Sequence, residues 1–292
     1  MLLPQLLFNG IAAGCLYSLV ALGFGLIYNT TRIFHFAHGA IYTVSVYLLY
    51  ALAIKANLPL WISIVIALCL TALLGIILEA GVYYPFVKRG VSLLVMMIVS
   101  LALYIVLVNL IALVFGNETK VLRPGIEKTY SFGSVILSQI QVIEILVFIF
   151  LFFGFVLLLK LTNLGKILRA LRDNPDLVVT LGVNVKKVRQ IVFALGSFLA
   201  GTAAILLGLD VGIDPQIGLS ALLAGAVGVI IGGVGFFEGA ALGGLSLGVL
   251  QSLVIWQTSA RWQEAVTFGI LILFLVFKPE GLLGQKRRLE EL

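Results

Sequence analysis

Nine stretches of this chain are long apolar runs separated by short polar links. They run from Gln5 to Tyr28, Gly39 to Ile54, Leu60 to Tyr83, Ser92 to Phe115, Ile140 to Leu159, Gln190 to Leu209, Leu219 to Val234, Gly239 to Trp256 and Glu264 to Phe277. A helix of roughly 20 apolar residues crosses the hydrocarbon core of a bilayer, and most of these runs approach that length. Of 292 residues, 61% are hydrophobic and 11% charged, whereas soluble domains carry about 25% charge. The reading is an all-α polytopic membrane protein with about eight or nine transmembrane helices. The count turns on residues 219–256, which are either two spans or include a broken or re-entrant helix. No stretch leaves room for a large soluble domain, so residues 1–292 read as a single transmembrane domain. The first run lacks a basic leader and is long enough to remain a span. Cys15 and Cys69 both lie inside apolar runs, as small packing residues rather than disulfide or metal partners.

Charge orients the spans. With the loop Thr162–Arg189 inside and alternation in both directions, only Lys55, Lys120, Arg123, Lys128 and Arg261 fall outside, which leaves 14 of the 19 Lys and Arg inside. Cytoplasmic loops carry such an excess. The N-terminus is then outside and the C-terminus, with the basic-then-acidic tail 278–292, inside. The net charge of +6 thus reports topology and points to no nucleic-acid partner.

Loop 162–189 is patterned for order. Leu164, Leu168 and Leu171 recur at helical spacing, with Lys166, Arg169 and Arg172 on other faces. Asn174 is a good N-cap, Pro175 suits the first helical position and Asp176 the positive end of the helix dipole. Leu177, Val178 and Leu181 form an apolar face, and Gly182 is a natural stop. Two short amphipathic helices meeting near Asn174 have two uses. They lie on lipid headgroups with their basic residues facing anionic lipid, or they dock a cytosolic partner.

Other features narrow the chemistry. His35 and His38 are three residues apart between two spans, which suits a metal pair or a pH switch. No further ligands stand nearby, and the favoured reading is interfacial histidines capping a broken helix. Gly228, Gly232, Gly233, Gly235, Gly239 and Gly243 have no preceding strand and no following Lys-Ser or Lys-Thr, so they read as helix-packing glycines and not as a phosphate loop. Glu79, Glu144 and Glu238 sit toward span ends, where structural roles are favoured. Phe36–Tyr50 and Ile217–Ile231 are candidates for matching parts of two structural halves, without residue identity between them. The chain has no ATP-binding motif and no Ser/His/Asp, Cys/His or HExxH arrangement, which disfavours an intramembrane enzyme and leaves any active transport to draw its energy from a partner or an ion gradient.

Four motifs together resemble a family. Gly165-Lys166-Ile167-Leu168-Arg169-Ala170-Leu171-Arg172-Asp173-Asn174-Pro175 with Leu181-Gly182-Val183-Asn184 looks like the cytoplasmic coupling loop of branched-chain amino-acid ABC importer permeases. Phe36-Ala37-His38-Gly39 is similar to the signature after their opening span, with His35 where Asn is usual and Ala40 where an acidic residue is common. Gly232-Gly233-Val234-Gly235 with Gly239-Ala240 and Gly243-Gly244 resembles the late Gly-rich signature, and Lys278-Pro279-Glu280-Gly281-Leu282-Leu283-Gly284 the terminal one.

The resemblance implies two permease subunits, identical or sister, above two cytosolic ATP-binding subunits, with an external solute-binding protein delivering the solute. ATP is used by those partners, and this chain itself holds no cofactor. Coupling to the ATPase would fall to Gly165, Leu168, Arg169, Ala170, Leu171, Arg172, Asn174, Pro175, Leu177, Leu181 and Gly182. Leu168, Leu171, Leu177 and Leu181 would make apolar contacts, and Arg169 and Arg172 polar ones. Phe36, His38, Asp210 and Asp214 are candidates for the translocation path. The implied location is a prokaryotic inner membrane, and the implied solutes are branched-chain or related small amino acids. The alternatives are a permease of the same kind for sugar, urea or amide, and a stand-alone channel or secondary carrier.

Overall fold

The computed structural model describes residues 2–122, 128–133, 135–257 and 259–283. Among them, seven helices are long and apolar enough to cross a membrane, and Ile217–Gly232 and Gln263–Phe277 are shorter apolar helices. In chain order the elements are α1 (Leu2–Thr31), α2 (Ala37–Lys55), α3 (Leu60–Lys88), α4 (Leu93–Phe115), β1 (Thr129–Phe132), β2 (Val135–Ser138) and α5 (Gln139–Leu161). They continue with α6 (Asn163–Asp173), α7 (Pro175–Thr180), α8 (Val185–Val211), α9 (Ile217–Gly232), α10 (Phe237–Gln257) and α11 (Gln263–Phe277). One end of the bundle carries the β1–β2 hairpin, the other the α6–α7 knob. The tail beyond Leu283, with Lys286, Arg287 and Arg288, lies outside the described residues, as do Arg123 and Pro124.

The helices form two inverted sets. α1 packs on α10 as α8 packs on α3, and α1 packs on α9 as α8 packs on α2. α9 packs on α10 as α2 packs on α3, and α4 and α11 flank α2 and α9 in turn. Each member of α1–α4 runs opposite to its counterpart among α8–α11. That relation is a pseudo-twofold axis in the membrane plane, as in transporters built from inverted repeats. It pairs α2 with α9, the two stretches that the sequence offered as matching parts. α5 stands outside the scheme and joins the halves, with the hairpin before it and the knob after it.

The segment between α1 and α2 differs from the interfacial placement expected of His35 and His38. Arg32 takes a positive φ of 59° and turns the chain back, and Ile33 and His35 are fully buried. The His38 ring lies against Gly23 of α1, eight residues and so about 12 Å short of that helix's end. α2 therefore begins inside the bundle. Its first turn meets the first turn of α9 at Gly39 and Gly218, whose backbones touch. Irregular backbone at this depth is tolerable only inside protein. Here the Ala37 amide donates to Ser100 Oγ at 3.0 Å and the Ile33 amide to Thr31 Oγ1 at 3.3 Å.

Small residues set the central seam. A Cβ on Gly243 would overlap the Gly228 carbonyl oxygen, and one on Gly248 the backbone of Gly14. α9, α10 and α1 therefore approach nearly backbone to backbone, and dispersion replaces the hydrophobic drive that lipid cannot supply. α1 and α8 are mostly buried, while α3, α4 and α5 present leucines, valines and phenylalanines outward as a lipid-facing ring.

The polar link between α4 and α5 contains the β1–β2 hairpin. Val135 and Leu137 turn inward and Ile136 outward, the period-two alternation of a half-buried strand. Gln5 closes the hairpin onto α1 by donating to the Ile136 carbonyl at 2.8 Å and accepting from its amide at 2.7 Å.

Candidate functional site

Three places concentrate polar chemistry: the knob, a buried cluster in the bundle centre and a cavity at the hairpin end.

Capping builds the knob. Thr162 Oγ1 accepts from the Gly165 amide at 3.1 Å and starts α6. Asn174 Oδ1 accepts from the Leu177 amide at 3.0 Å and starts α7, with Pro175 in its first turn. Gly182, at φ 77°, ends the pair, and Asn184 Oδ1 accepts from the Lys187 amide at 3.1 Å to open α8. The side chain of Asp176 lies outside the described residues.

The apolar face of α6 points into this subunit. Leu168 and Leu171 are buried, as is Val178 of α7, and Gly165 is pressed against the Leu159 carbonyl. This corrects the expectation that Leu168 and Leu171 offer apolar contacts to a partner, because burial within the subunit removes them from any outside surface. Arg169 and Arg172 are similarly engaged. Arg169 donates to the Leu159 carbonyl. Arg172 donates to the Gly235 carbonyl at 2.6 Å, lies over the Phe236 ring and pairs with Asp173 at 2.7 Å. Arg32 donates to the Arg172 carbonyl at 3.0 Å, and Asn29 Oδ1 accepts from the Gly235 amide at 3.0 Å. The knob is thereby bolted to the end of α1 and to the α9–α10 turn. Its exposed face carries Ala170, Asn174, Pro175, Leu177, Val179, Leu181 and Gly182.

The glycines divide by role. Gly232 packs on Gly239 and Gly228 on Gly243, each pair within reach of an added Cβ. Gly235 departs from the packing expectation. No atom stands within 4 Å of where its Cβ would be, and its φ of 101° marks it as a turn residue. Gly233, at φ 106°, also turns the chain, and Gly281 of the terminal segment rests on it.

In the bundle centre, His35 Nδ1 is 2.8 Å from the Tyr83 hydroxyl, which donates to Ser100 Oγ at 2.8 Å. His38 is fully buried beside it, with ring centres 5.7 Å apart. Neither histidine is interfacial, which corrects the capping reading. The re-entrant segment carries both inward. Among the described residues no third metal-ligating side chain joins them. Phe36 is half-buried and packs toward Ala40, Tyr104 and Val108. Nearer the knob, Arg189 grips Glu79 through two hydrogen bonds of 2.5 and 3.1 Å, both side chains being buried. Arg189 thus belongs to α8 and not to the loop.

At the hairpin end a cavity of about 460 Å³ opens between α1, α2, α8, α9, α10 and α11. Of the four translocation-path candidates it is bordered by Asp214 alone. Phe36 and His38 lie elsewhere, and Asp210 accepts from Ser138 Oγ of the hairpin at 3.3 Å. Sequence reasoning missed Tyr17, Ser220, Gln251 and Thr267, which line this cavity. Each is an isolated polar residue inside an apolar run, the signal that would have found it.

Residues 6–275 match the family described as branched-chain amino acid transport system / permease component. The chain is 30% identical to the high-affinity branched-chain amino acid transport system permease protein BraD of Pseudomonas aeruginosa, over 96% of this chain and 95% of that protein. It is 28% identical to the permease protein LivH of the corresponding system in Escherichia coli, over 96% and 95% of the two chains. It is 26% identical to a probable branched-chain amino acid transport permease protein LivM of Methanocaldococcus jannaschii, over 76% and 69%.

Proposed function

The chain belongs to the family of branched-chain amino acid transport permease components, and from that premise we infer that it is the membrane-spanning subunit of an ATP-driven importer for branched-chain or related small amino acids. It is a multi-pass membrane transport protein. Its partners in this reading are cytosolic ATP-binding subunits, a second permease subunit and an external solute-binding protein. Similarity to proteins named both LivH and LivM favours a sister permease over an identical one. ATP is hydrolysed by the partners and not on this chain.

The observation that carries the reading is the knob. A helix pair that is capped at each start, bolted by Arg172 to the α9–α10 turn and apolar on its outer face at Leu177, Val179 and Leu181 is built to be pushed. A self-contained channel has no use for it. Residues 162–184 act as the coupling element, with Leu177 and Leu181 in contact with the ATP-binding subunit. Arg169 and Arg172 hold the element to the permease. The excess of Lys and Arg at the knob end supports a cytoplasmic knob, with the N-terminus outside, in a prokaryotic inner membrane.

Gentle-detergent purification from the native cell, with co-purifying chains identified by mass, tests this. ATP-binding subunits and a second permease are the expected companions. A chain that emerges alone, under conditions that keep such complexes intact, refutes the reading.

A further inference from the structure

The cavity at the hairpin end is chemically two-sided. Its deep wall is apolar, with Leu16 and Val20 of α1 facing Ala221 and Ala224 of α9. Its mouth carries charges of both signs, Arg261 against Asp214 and Glu264. The uncharged polar groups between these two zones are largely paired with each other. Gln263 Nε2 donates to the Tyr17 hydroxyl at 2.8 Å, and Gln251 Nε2 donates to Thr267 Oγ1.

The charged groups are less committed. Among the described residues Arg261 forms no ion pair. Glu264 Oε1 accepts from Ser220 Oγ at 2.8 Å, and Asp214 Oδ1 from the Gln216 amide at 2.8 Å. A carboxylate has about four acceptor sites, so each retains capacity for a cationic donor. The cavity volume falls within the range of about 300–1,000 Å³ typical of small-molecule sites.

We propose that this cavity is an amino-acid site within the single subunit. The α-carboxylate meets Arg261, the α-ammonium meets Glu264 and Asp214, and an aliphatic side chain lies among Leu16, Val20, Ala221 and Ala224. The inference rests on the amino-acid importer reading and gives it a location. The same lining disfavours a sugar: apart from Tyr42 the deep wall offers Leu16, Val20, Ala221 and Ala224, and unpaired buried polar groups are costly. A phospholipid with a zwitterionic head and acyl tail shares the ligand chemistry and is the competing occupant.

The test uses the whole complex, with its ATP-binding subunits and solute-binding protein, in proteoliposomes and in detergent. Ala224→Phe fills the deep wall and is expected to cut leucine uptake at least tenfold while ATP hydrolysis continues. Arg261→Gln alters an exposed side chain, so folding is not at stake. In equilibrium binding of radiolabelled leucine without the solute-binding protein, it is expected to weaken binding about tenfold. It should also abolish any preference for leucine over isoamylamine, which lacks the carboxylate, whereas Arg261→Lys keeps that preference.

Wild-type leucine uptake and binding in both Ala224→Phe and Arg261→Gln overturns the cavity site and leaves the importer reading standing. So does a retained phospholipid that millimolar leucine fails to displace. A wild-type complex that takes up neither leucine, isoleucine and valine nor any other small amino acid overturns the importer reading itself. If Ala224→Phe fails to assemble, Arg261→Gln decides alone.

Discussion

Arg172 donates from Nη1 to the Gly235 carbonyl oxygen at 2.6 Å and so joins the last turn of α6 to the turn between α9 and α10. The backbone carbonyl of the same residue takes Arg32 Nη2 at 3.0 Å. A displacement of α6 therefore reaches α1, α9 and α10 together. Arg172→Lys keeps the charge and the backbone bond to Arg32 but loses the planar fork that engages Gly235 and Asp173. The expected outcome is uptake reduced about tenfold, equivalent to roughly 1.4 kcal/mol, with ATP hydrolysis by the assembled complex maintained. Parallel uptake and hydrolysis assays decide. Equal loss of both would indicate failed docking and not failed transmission.

Leu168 and Leu181 separate anchoring from docking. Leu168 is fully buried, whereas Leu181 is 72% exposed at the water-facing end of α7. Leu168→Ala should destabilise the permease by about 2–5 kcal/mol, read as a lower melting temperature in detergent. Leu181→Asp should leave melting unchanged and reduce the amount of ATP-binding subunit that co-purifies. A normal complement of that subunit with Leu181→Asp would remove Leu181 from the interface.

Glu79 and Arg189 are a buried pair on α3 and α8. Removing one partner strands a buried charge, so Glu79→Leu or Arg189→Met should each cost about 3–5 kcal/mol. The double variant replaces both with apolar groups and should recover most of that loss. Thermal unfolding of the three variants provides the measurement. A double variant as unstable as the sum of the singles would contradict the pairing.

Gly243 and Gly154 are both glycines within membrane helices, yet their surroundings differ. A Cβ at Gly243 overlaps the Gly228 carbonyl, and one at Gly154 meets nothing within 4 Å. Gly243→Ala should lower folded yield sharply, while Gly154→Ala should be neutral or stabilising by up to about 1 kcal/mol. Comparable yields for the two variants in a detergent-extracted preparation would show that the α9–α10 seam tolerates separation.

What could be read without the structure follows from local chemistry. Apolar runs fix the membrane class, because only a self-satisfied helix or a closed barrel survives in hydrocarbon. Asn174, Pro175 and Gly182 mark the breaks of the knob, because caps and positive-φ turns are properties of one or two residues. Which face of the knob meets water was not legible. Leu168, Leu171, Leu177 and Leu181 are all leucines near the same helix break, and only packing on Leu159 and the neighbouring helices separates the buried from the exposed.

The same limit explains the two histidines. Their three-residue spacing is visible in the chain, but the turn at Arg32 that carries them into the bundle depends on α4 offering Ser100 to the Ala37 amide. The cavity is more remote still, because it joins Leu16, Asp214 and Arg261 from three distant parts of the chain. The sequence by itself therefore determined the solvent, the spans and the capped loop, each set by neighbours along the chain. Tertiary structure alone decided the inverted pairing, the inward face of the knob and the lining of the cavity. Those depend on close approach between residues far apart in the chain, and periodicity within a single helix does not encode that approach.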